Sequence, residues 1–394
     1  MIPLKCELKK LSKNRLIFVI IAVFVLLDIF NIYRNYNMDN GVPTGVSRAN
    51  CEIRKKLNGS ITEQKKKRVN LEISNLSKLI NSKYKNQKKP DNRFLSGYAF
   101  WDLQLWQKYQ NYFERAEDYS DNLANNLETA NQNIGYYKDK NTFYKNENEL
   151  YFNLYSGRMI TEVFDTDSLP DYFGYSFSSI LIVIVLLIGV IPCFCGEFEC
   201  DMNIVLNTSV LGGRKTIIAK LISIIIFTIT VSVLFFLVDF VSFLIFDGID
   251  GLSAPLYSVQ GYENTPVNLS VKEFIALIAL FKTIGMLVIS MTFSLLSRLF
   301  KKSIVPFLCG FSAFFLLIIS KAFLTDKIGR AVNTFNPIAL LTANNLFVKF
   351  DVLMVVFRPV FVWTEVLFAG LTVLVLLFSV TMMLPLDFKV RLKK

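Results

Sequence analysis

The chain contains no histidine. That absence removes Ser-His-Asp and Cys-His nucleophile systems and the histidine-bearing zinc motifs, because each needs an imidazole as base or ligand. Cysteine is scarce, at 6 in 394 residues. Cys51 stands alone in the polar segment 34–175, so no disulfide can close within it. Cys193, Cys195 and Cys200 fall close together, but a metal site calls for a Cys-x-x-Cys pair or histidine partners, and this spacing supplies neither. They read as packing thiols. A phosphate loop is missing too. The nearest string, Gly212-Gly213-Arg214-Lys215-Thr216, puts Arg between Gly and Lys, lacks the upstream glycine and opens an apolar run instead of following a soluble strand. Glycine is absent between Ser60 and Ser96 and between Tyr98 and Ile134, and Pro90 is the only proline between Thr44 and Leu169. Away from the link around Pro90, little there interrupts a helix.

What the chain has in quantity is apolar surface. It is 53% hydrophobic with 36 Phe, and its charges are confined to particular segments. Six apolar stretches reach the length of about 20 residues that a bilayer requires: Leu16–Tyr33, Ser176–Cys195, Thr216–Phe246, Lys272–Leu296, Ser303–Leu324 and Phe361–Pro385. Only helices or closed barrels satisfy their backbone groups in lipid, and continuous runs without period-2 alternation mean helices. The expected fold is an all-α polytopic membrane protein. Lys9, Lys10, Lys13 and Arg15 precede the first run, and Asp28, Asn31, Tyr33 and Arg34 stand where a small-x-small cleavage site would be. It reads as a retained signal-anchor span. The segment Lys5 to Arg15, the Arg298–Lys301–Lys302 group and the tail Lys389–Arg391–Lys393–Lys394 are basic and fall on one side after six crossings, which the positive-inside rule makes the cytoplasm. The net charge of +11 is then mostly topology and attraction to anionic lipid, with no separate basic domain for nucleic acid. The locale expected is a plasma membrane, and the Lys/Asn/Ile-rich, histidine-free composition points to a Gram-positive bacterial source.

Three parts follow: residues 1–33 with span one, an outer insertion 34–175, and spans two to six in 176–394. The insertion reads as a helical, coiled-coil-like hairpin. Leu105, Tyr109, Tyr112, Ala116, Tyr119, Leu123, Leu127, Ala130, Ile134 and Tyr137 recur in steps of three and four. Val69, Ile73, Leu76 and Ile80 keep a similar rhythm in the first arm, and residues 84–99 make the turn. The first arm is basic around Lys65–Arg68 and the second acidic around Glu114–Asp121; the charges either pair across the arms or face solvent. Residues 325–360 form an outer segment whose pieces 335–341 and 347–357 are too short to cross and read as interfacial or re-entrant helices.

Two charges lie inside apolar runs. Asp28 is about 18 Å above the cytoplasmic start of span one and Lys282 about 21 Å above the cytoplasmic end of span four. They either pair near mid-membrane or meet water separately. Asp239 falls near the outer end of span three, too far from the depth of Asp28 for an aspartyl-protease pair, and snorkelling accounts for it, as for Lys321 and Glu365.

Between spans two and three runs the short polar stretch Gly196–Leu221, acidic at one end and basic at the other. Within it, Asp201–Val210 can form an amphipathic helix with Met202, Val205, Leu206 and Val210 on one face, either a lever for a soluble partner or a plain connector. Six spans with cytoplasmic termini, an outer insertion after span one and this loop together resemble the permease subunits of type-2 ABC exporters. The resemblance covers about residues 4–33 and 175–394; the insertion departs from the compact members. It implies a coupling loop at 196–215, with Glu197 and Glu199 before the coupling helix, Met202, Val205 and Leu206 within it, and Gly213-Arg214 and Lys220 after it. It implies an outer re-entrant element at Asn336-Pro337. It also implies no enzymatic activity and no cofactor in this chain, with ATP-Mg on a separate ATPase present in two copies, and assembly as a homodimer or with a sister permease. The cargo expected is a peptide such as a bacteriocin or antimicrobial peptide, or another lipid-like amphiphile. An alternative is a cell-surface receptor or secretion scaffold resembling the phage-infection and type VII secretion accessory proteins, whose ectodomains are typically longer.

Overall fold

The computed structural model of this chain describes residues 2–38, 45–202, 213–323, 333–355 and 358–384. Helix α1 (Ile2–Lys13) breaks at Asn14, whose side-chain oxygen accepts the Leu16 N–H at 3.2 Å and so starts α2 (Arg15–Met38). Next come α3 (Val46–Leu57), β1 (Gly59–Ser60), α4 (Glu63–Leu79), α5 (Ala99–Tyr137), α6 (Thr142–Tyr155) and β2 (Glu162–Val163). The chain continues through α7 (Ser168–Gly174), α8 (Phe177–Val190), α9 (Pro192–Glu199), α10 (Arg214–Phe246), α11 (Val271–Leu299), α12 (Ile304–Phe323) and α13 (Pro337–Leu341). It closes with β3 (Val352–Val355), β4 (Arg358–Phe361) and α14 (Val362–Met383).

Six helical stretches are long and apolar enough to cross a membrane: Arg15–Tyr36, Ser168–Glu199, Arg214–Phe246, Val271–Leu299, Ile304–Phe323 and Val362–Met383. This is the build of a multi-pass membrane protein. The second and fourth stretches form its centre, 67% and 61% buried, against 17% for the first and fifth and 22% for the sixth. Leu186, Ile224, Phe235 and Ile289 pack there. The apolar faces of α2, α12 and α14, with Phe30, Phe315 and Phe368 exposed, are left for lipid or another chain.

The polar insertion folds on α5. Its sequence stripe is the buried face: Tyr109, Tyr112, Ala116, Tyr119, Leu123 and Ala130. The two expected arms correspond to α4 and α5, linked by one ion pair between them, Lys66 to Glu117. They do not stand as a bare hairpin, because α3 supplies Ile53 and Leu57 to the α4–α5 core and α6 returns Tyr151 and Tyr155 to the far half of α5. Asn141 makes that return sharp, its side chain accepting the N–H groups of Phe143 (3.0 Å) and Tyr144 (3.2 Å). Asp165, just after β2, locks the core: Arg54 Nε lies 2.7 Å and Lys108 Nζ 2.6 Å from its carboxylate, and the Tyr112 hydroxyl donates to it at 3.0 Å. Arg54 also donates to the Gly248 carbonyl at 2.9 Å, which fastens the insertion to the loop after α10.

The outer segment divides in two. Pro337–Leu341 is a short helix with all five residues buried, wedged among α11, α12 and α14. Residues 347–357 were expected to be helical and are corrected: Val352–Val355 pairs antiparallel with Arg358–Phe361. Val352, Val355 and Val360 favour a pleated strand, and Pro359 is tolerated in an isolated pair with open edges. A short apolar run does not by itself separate strand from helix.

Candidate functional site

At the end of the bundle that carries α1, the chain leaves α9 through Asp201, whose φ of 53° is left-handed, and re-enters α10 through Gly213 at φ 74°. A side chain is disfavoured in that region, so glycine suits the re-entry. Between these two points most of the expected coupling helix, including Val205 and Leu206, lies outside the described residues. Met202, at its start, is exposed. Arg214, the first residue of α10, is exposed as well.

Glu197 and Lys220, 23 positions apart in sequence, come together as an ion pair at 2.5 Å. The Lys220 side chain is 3% exposed and also donates to the Cys193 carbonyl at 2.5 Å. Glu197 takes a second cation, Lys10 of α1, at 3.0 Å. Glu7 completes the group, 3.1 Å from Lys10 and 4.0 Å from Lys220. Two carboxylates and two ammonium groups thus alternate, each charge flanked by the opposite sign, which is what lets Lys220 remain buried. Burial alone pulls the Lys10 ammonium down, but Glu197 and Glu7 beside it outweigh that and hold it above the usual lysine range. A cavity of about 280 Å³ opens beside the network, lined by Glu7, Lys10, Cys193, Gly196, Glu197 and Met202.

Glu199 turns the other way. Its carboxylate accepts the Ser303 N–H at 2.7 Å, in the link between α11 and α12. Behind it, the Ser297 hydroxyl donates to the Ile191 carbonyl and accepts the Cys195 N–H. Arg298 donates to the carbonyls of Thr381 and Leu384 at the end of α14. The stretch around Glu197 and Glu199 is therefore hydrogen-bonded or ion-paired to α1, α10 and the α11–α12 link, and through α11 to α14. Glu7 was not singled out from sequence, and Lys10, Arg298 and Ser303 were read only as topology charges and a span boundary, not as members of this network. The i, i+3 spacing of Glu7 and Lys10 was the only local sign.

A second polar cluster lies inside the bundle, nearer the insertion. Asp28 is fully buried and Lys282 is 6% exposed, but no ion pair joins them among the described residues. Tyr175 stands between: its hydroxyl donates to Asp28 at 2.7 Å and its carbonyl accepts Lys282 Nζ at 2.8 Å. Asp239 is corrected in two respects. It is 4% exposed and accepts the Ser178 hydroxyl at 2.7 Å, so it does not snorkel. It also belongs to the same buried cluster as Asp28 and Lys282, whose charges act on it. The depth mismatch expected from sequence arose because α2 runs on to Met38. Counted from the insertion ends of their helices, Asp28 is about 15 Å and Asp239 about 10 Å deep. The cavity beside Asp239 and Lys282 is about 20 Å³, room for about one water.

Asn336 and Pro337 lead the buried α13. The Asn336 side chain caps the helix by accepting the Ile338 N–H at 2.9 Å, and its amide donates to the Leu317 carbonyl at 2.8 Å and Ser320 Oγ at 3.0 Å. Lys321 donates to Thr342, so it too has a partner inside the protein. No protein-family model matches this chain, and no curated protein is similar to it in sequence.

Proposed function

We propose that this chain is the permease subunit of an ABC exporter, driven by two copies of a separate ATPase and paired with a second copy of itself or a sister permease. The observation that carries the reading is the charge network around Glu197. A polar loop tied at its root to α1, α10 and the α11–α12 link is a device for passing a push from outside the bilayer into the spans. The basic residues at that end, from Lys5 to Arg15 and at Lys301 and Lys302, support a cytoplasmic location for it and an exterior one for the insertion. The exposed apolar faces of α2, α12 and α14 supply surface for lipid and for the second permease. ATP binding would close the motors against loop 200–213, shift the tied helices and move an amphiphilic cargo outward, a peptide in the first instance. The plasma membrane of a bacterium is the setting that this reading implies.

The folded insertion favours one other reading, a surface receptor or secretion scaffold, since it is docked on the bundle through Arg54 and Gly248. Affinity capture separates the two. The chain is co-expressed with the ABC ATPase encoded nearest to it, with loop 201–214 intact or replaced by a Gly/Ser linker. ATPase capture that depends on the native loop supports export. A stable assembly that forms without any ATPase overturns it in favour of the scaffold.

A further inference from the structure

Arg158 lies outside both polar clusters, where the insertion meets the loop between α10 and α11. It follows α6 after a turn at Gly157 and is 5% exposed. Its guanidinium carbon sits 4.0 Å from the centre of the Tyr155 ring and 5.2 Å from that of Tyr257. Tyr155 stacks on Tyr151 at 4.3 Å, and Tyr257 stacks on Tyr119 at 5.4 Å. The guanidinium is thus walled by tyrosines. Nη1 donates to the Thr265 carbonyl at 3.0 Å, which fixes its plane. Nε and Nη2 are buried and make no hydrogen bond of normal geometry, and the hydroxyls of Tyr119 and Tyr155 act on the guanidinium from close by. Arg158 lines one cavity of about 320 Å³, and Tyr119, Tyr151 and Tyr155 line another of about 350 Å³ on the far side.

A buried guanidinium with no anion is costly, and two idle donors add to that cost. Here the idle donors are Nε and Nη2, the two parallel N–H groups along one edge of the planar group. Their spacing matches the two oxygens of a carboxylate. One buried positive charge is balanced by one negative charge, which fits a carboxylate better than a dianionic phosphate. The tyrosine faces offer an apolar wall for whatever the carboxylate is attached to. Tyr257 lies over the guanidinium, and its hydroxyl makes an exposed hydrogen bond to the Met159 carbonyl at 3.2 Å.

We propose that the free edge of Arg158 and its tyrosine cage form a carboxylate-binding site that takes the free C-terminus of an amphiphilic peptide, with an apolar side chain against Tyr155 and Tyr257. This deepens the export reading and rests on it for the site lying outside the cell and for the peptide being cargo; the carboxylate chemistry does not depend on it. The test is calorimetry on the full-length chain in lipid nanodiscs. The probes are N-acetyl-Leu-Leu-Phe as the free acid, the same peptide as the C-terminal amide, and inorganic phosphate.

The acid is expected to bind about tenfold or more tightly than the amide. Arg158→Lys keeps the charge but loses the fork, so it should erase that preference, and Tyr119→Phe should weaken binding of the acid more than of the amide. The comparison of acid with amide needs no variant, so a misfolded Arg158→Lys protein does not blunt it. Equal affinities, no binding of either peptide, or displacement of the acid by an equal concentration of phosphate would overturn the proposal. Acid-selective binding without ATPase capture sinks the export reading and leaves the site standing. Capture without acid selectivity does the reverse.

Discussion

Asp165 permits a prediction with both a size and a pH signature. Its side chain is 1% exposed. Burial raises its pKa, but Lys108 and Arg54 beside it more than offset that and hold the carboxyl at about 2, against an ordinary 3.8. At about 1.4 kcal/mol per tenfold change in proton affinity, the ionised form adds roughly 2 kcal/mol to the folded insertion at neutral pH. The sign follows from the direction: a folded value below the unfolded one gives stability that is present in full above about pH 5 and is lost as pH falls from 3.8 toward 2. Asp165→Asn removes the charge outright. Stripping one partner from a buried pair costs about 3–5 kcal/mol. Here Lys108 keeps Asp167 at 3.1 Å and Arg54 keeps Asp250 at 3.5 Å, so a cost just below that range, about 2–3 kcal/mol, is expected. Trp101 and the buried Trp106, both in α5, report unfolding of the insertion once Trp363→Phe has removed the signal from α14. Urea titration of the full chain in detergent should show the Asp165→Asn midpoint lower by about 1 M at pH 7. At pH 2 most of that difference should vanish. A difference below about 0.5 kcal/mol at pH 7, or one equally large at pH 2, refutes the argument.

Three further outcomes are expected. Glu197→Gln strands the buried Lys220 ammonium with only Glu7 at 4.0 Å, so the melting point of the solubilised chain should fall by the equivalent of about 2–3 kcal/mol; adding Lys220→Met should recover most of it, and a double variant worse than the single contradicts the pairing. Gly285→Ala would bring a Cβ to 3.2 Å from the Pro337 carbonyl and 2.9 Å from Leu341, displacing α13 at a cost of about 1–3 kcal/mol; unchanged thermal stability shows that α13 is not wedged against α11. Cys51 and Cys200 are exposed at opposite ends of the bundle. In single-cysteine variants, a membrane-impermeant maleimide should label Cys51 on intact cells and Cys200 only after permeabilisation, and the opposite pattern inverts the assigned orientation.

The sequence by itself determined the elements whose signal is local. Runs such as 216–246 are too apolar and too long to be anything but spans, and the three-four stripe from Tyr109 to Ala130 is the face that the insertion buries. Loop 196–215 was legible as a polar stretch between two apolar runs because its charges are so unequally distributed. The tertiary structure decided which charges meet. Glu197 and Lys220 were both singled out, but α1 as the second cation's source came only from the fold, since nothing in the spacing of Lys10 and Glu197 ties positions 187 apart. Asp28 and Lys282 were matched by counting residues along helices. The fold put Tyr175 between them and brought Asp239 in, because where each helix starts and how it crosses its neighbours are set by packing. Arg158 gave no sign at all in sequence: a lone arginine after a tyrosine-rich helix looks like a solvated surface charge until two elements 107 residues apart close over it. Local pattern fixes what a segment is; burial, and the polar partners that burial demands, belong to the assembled chain.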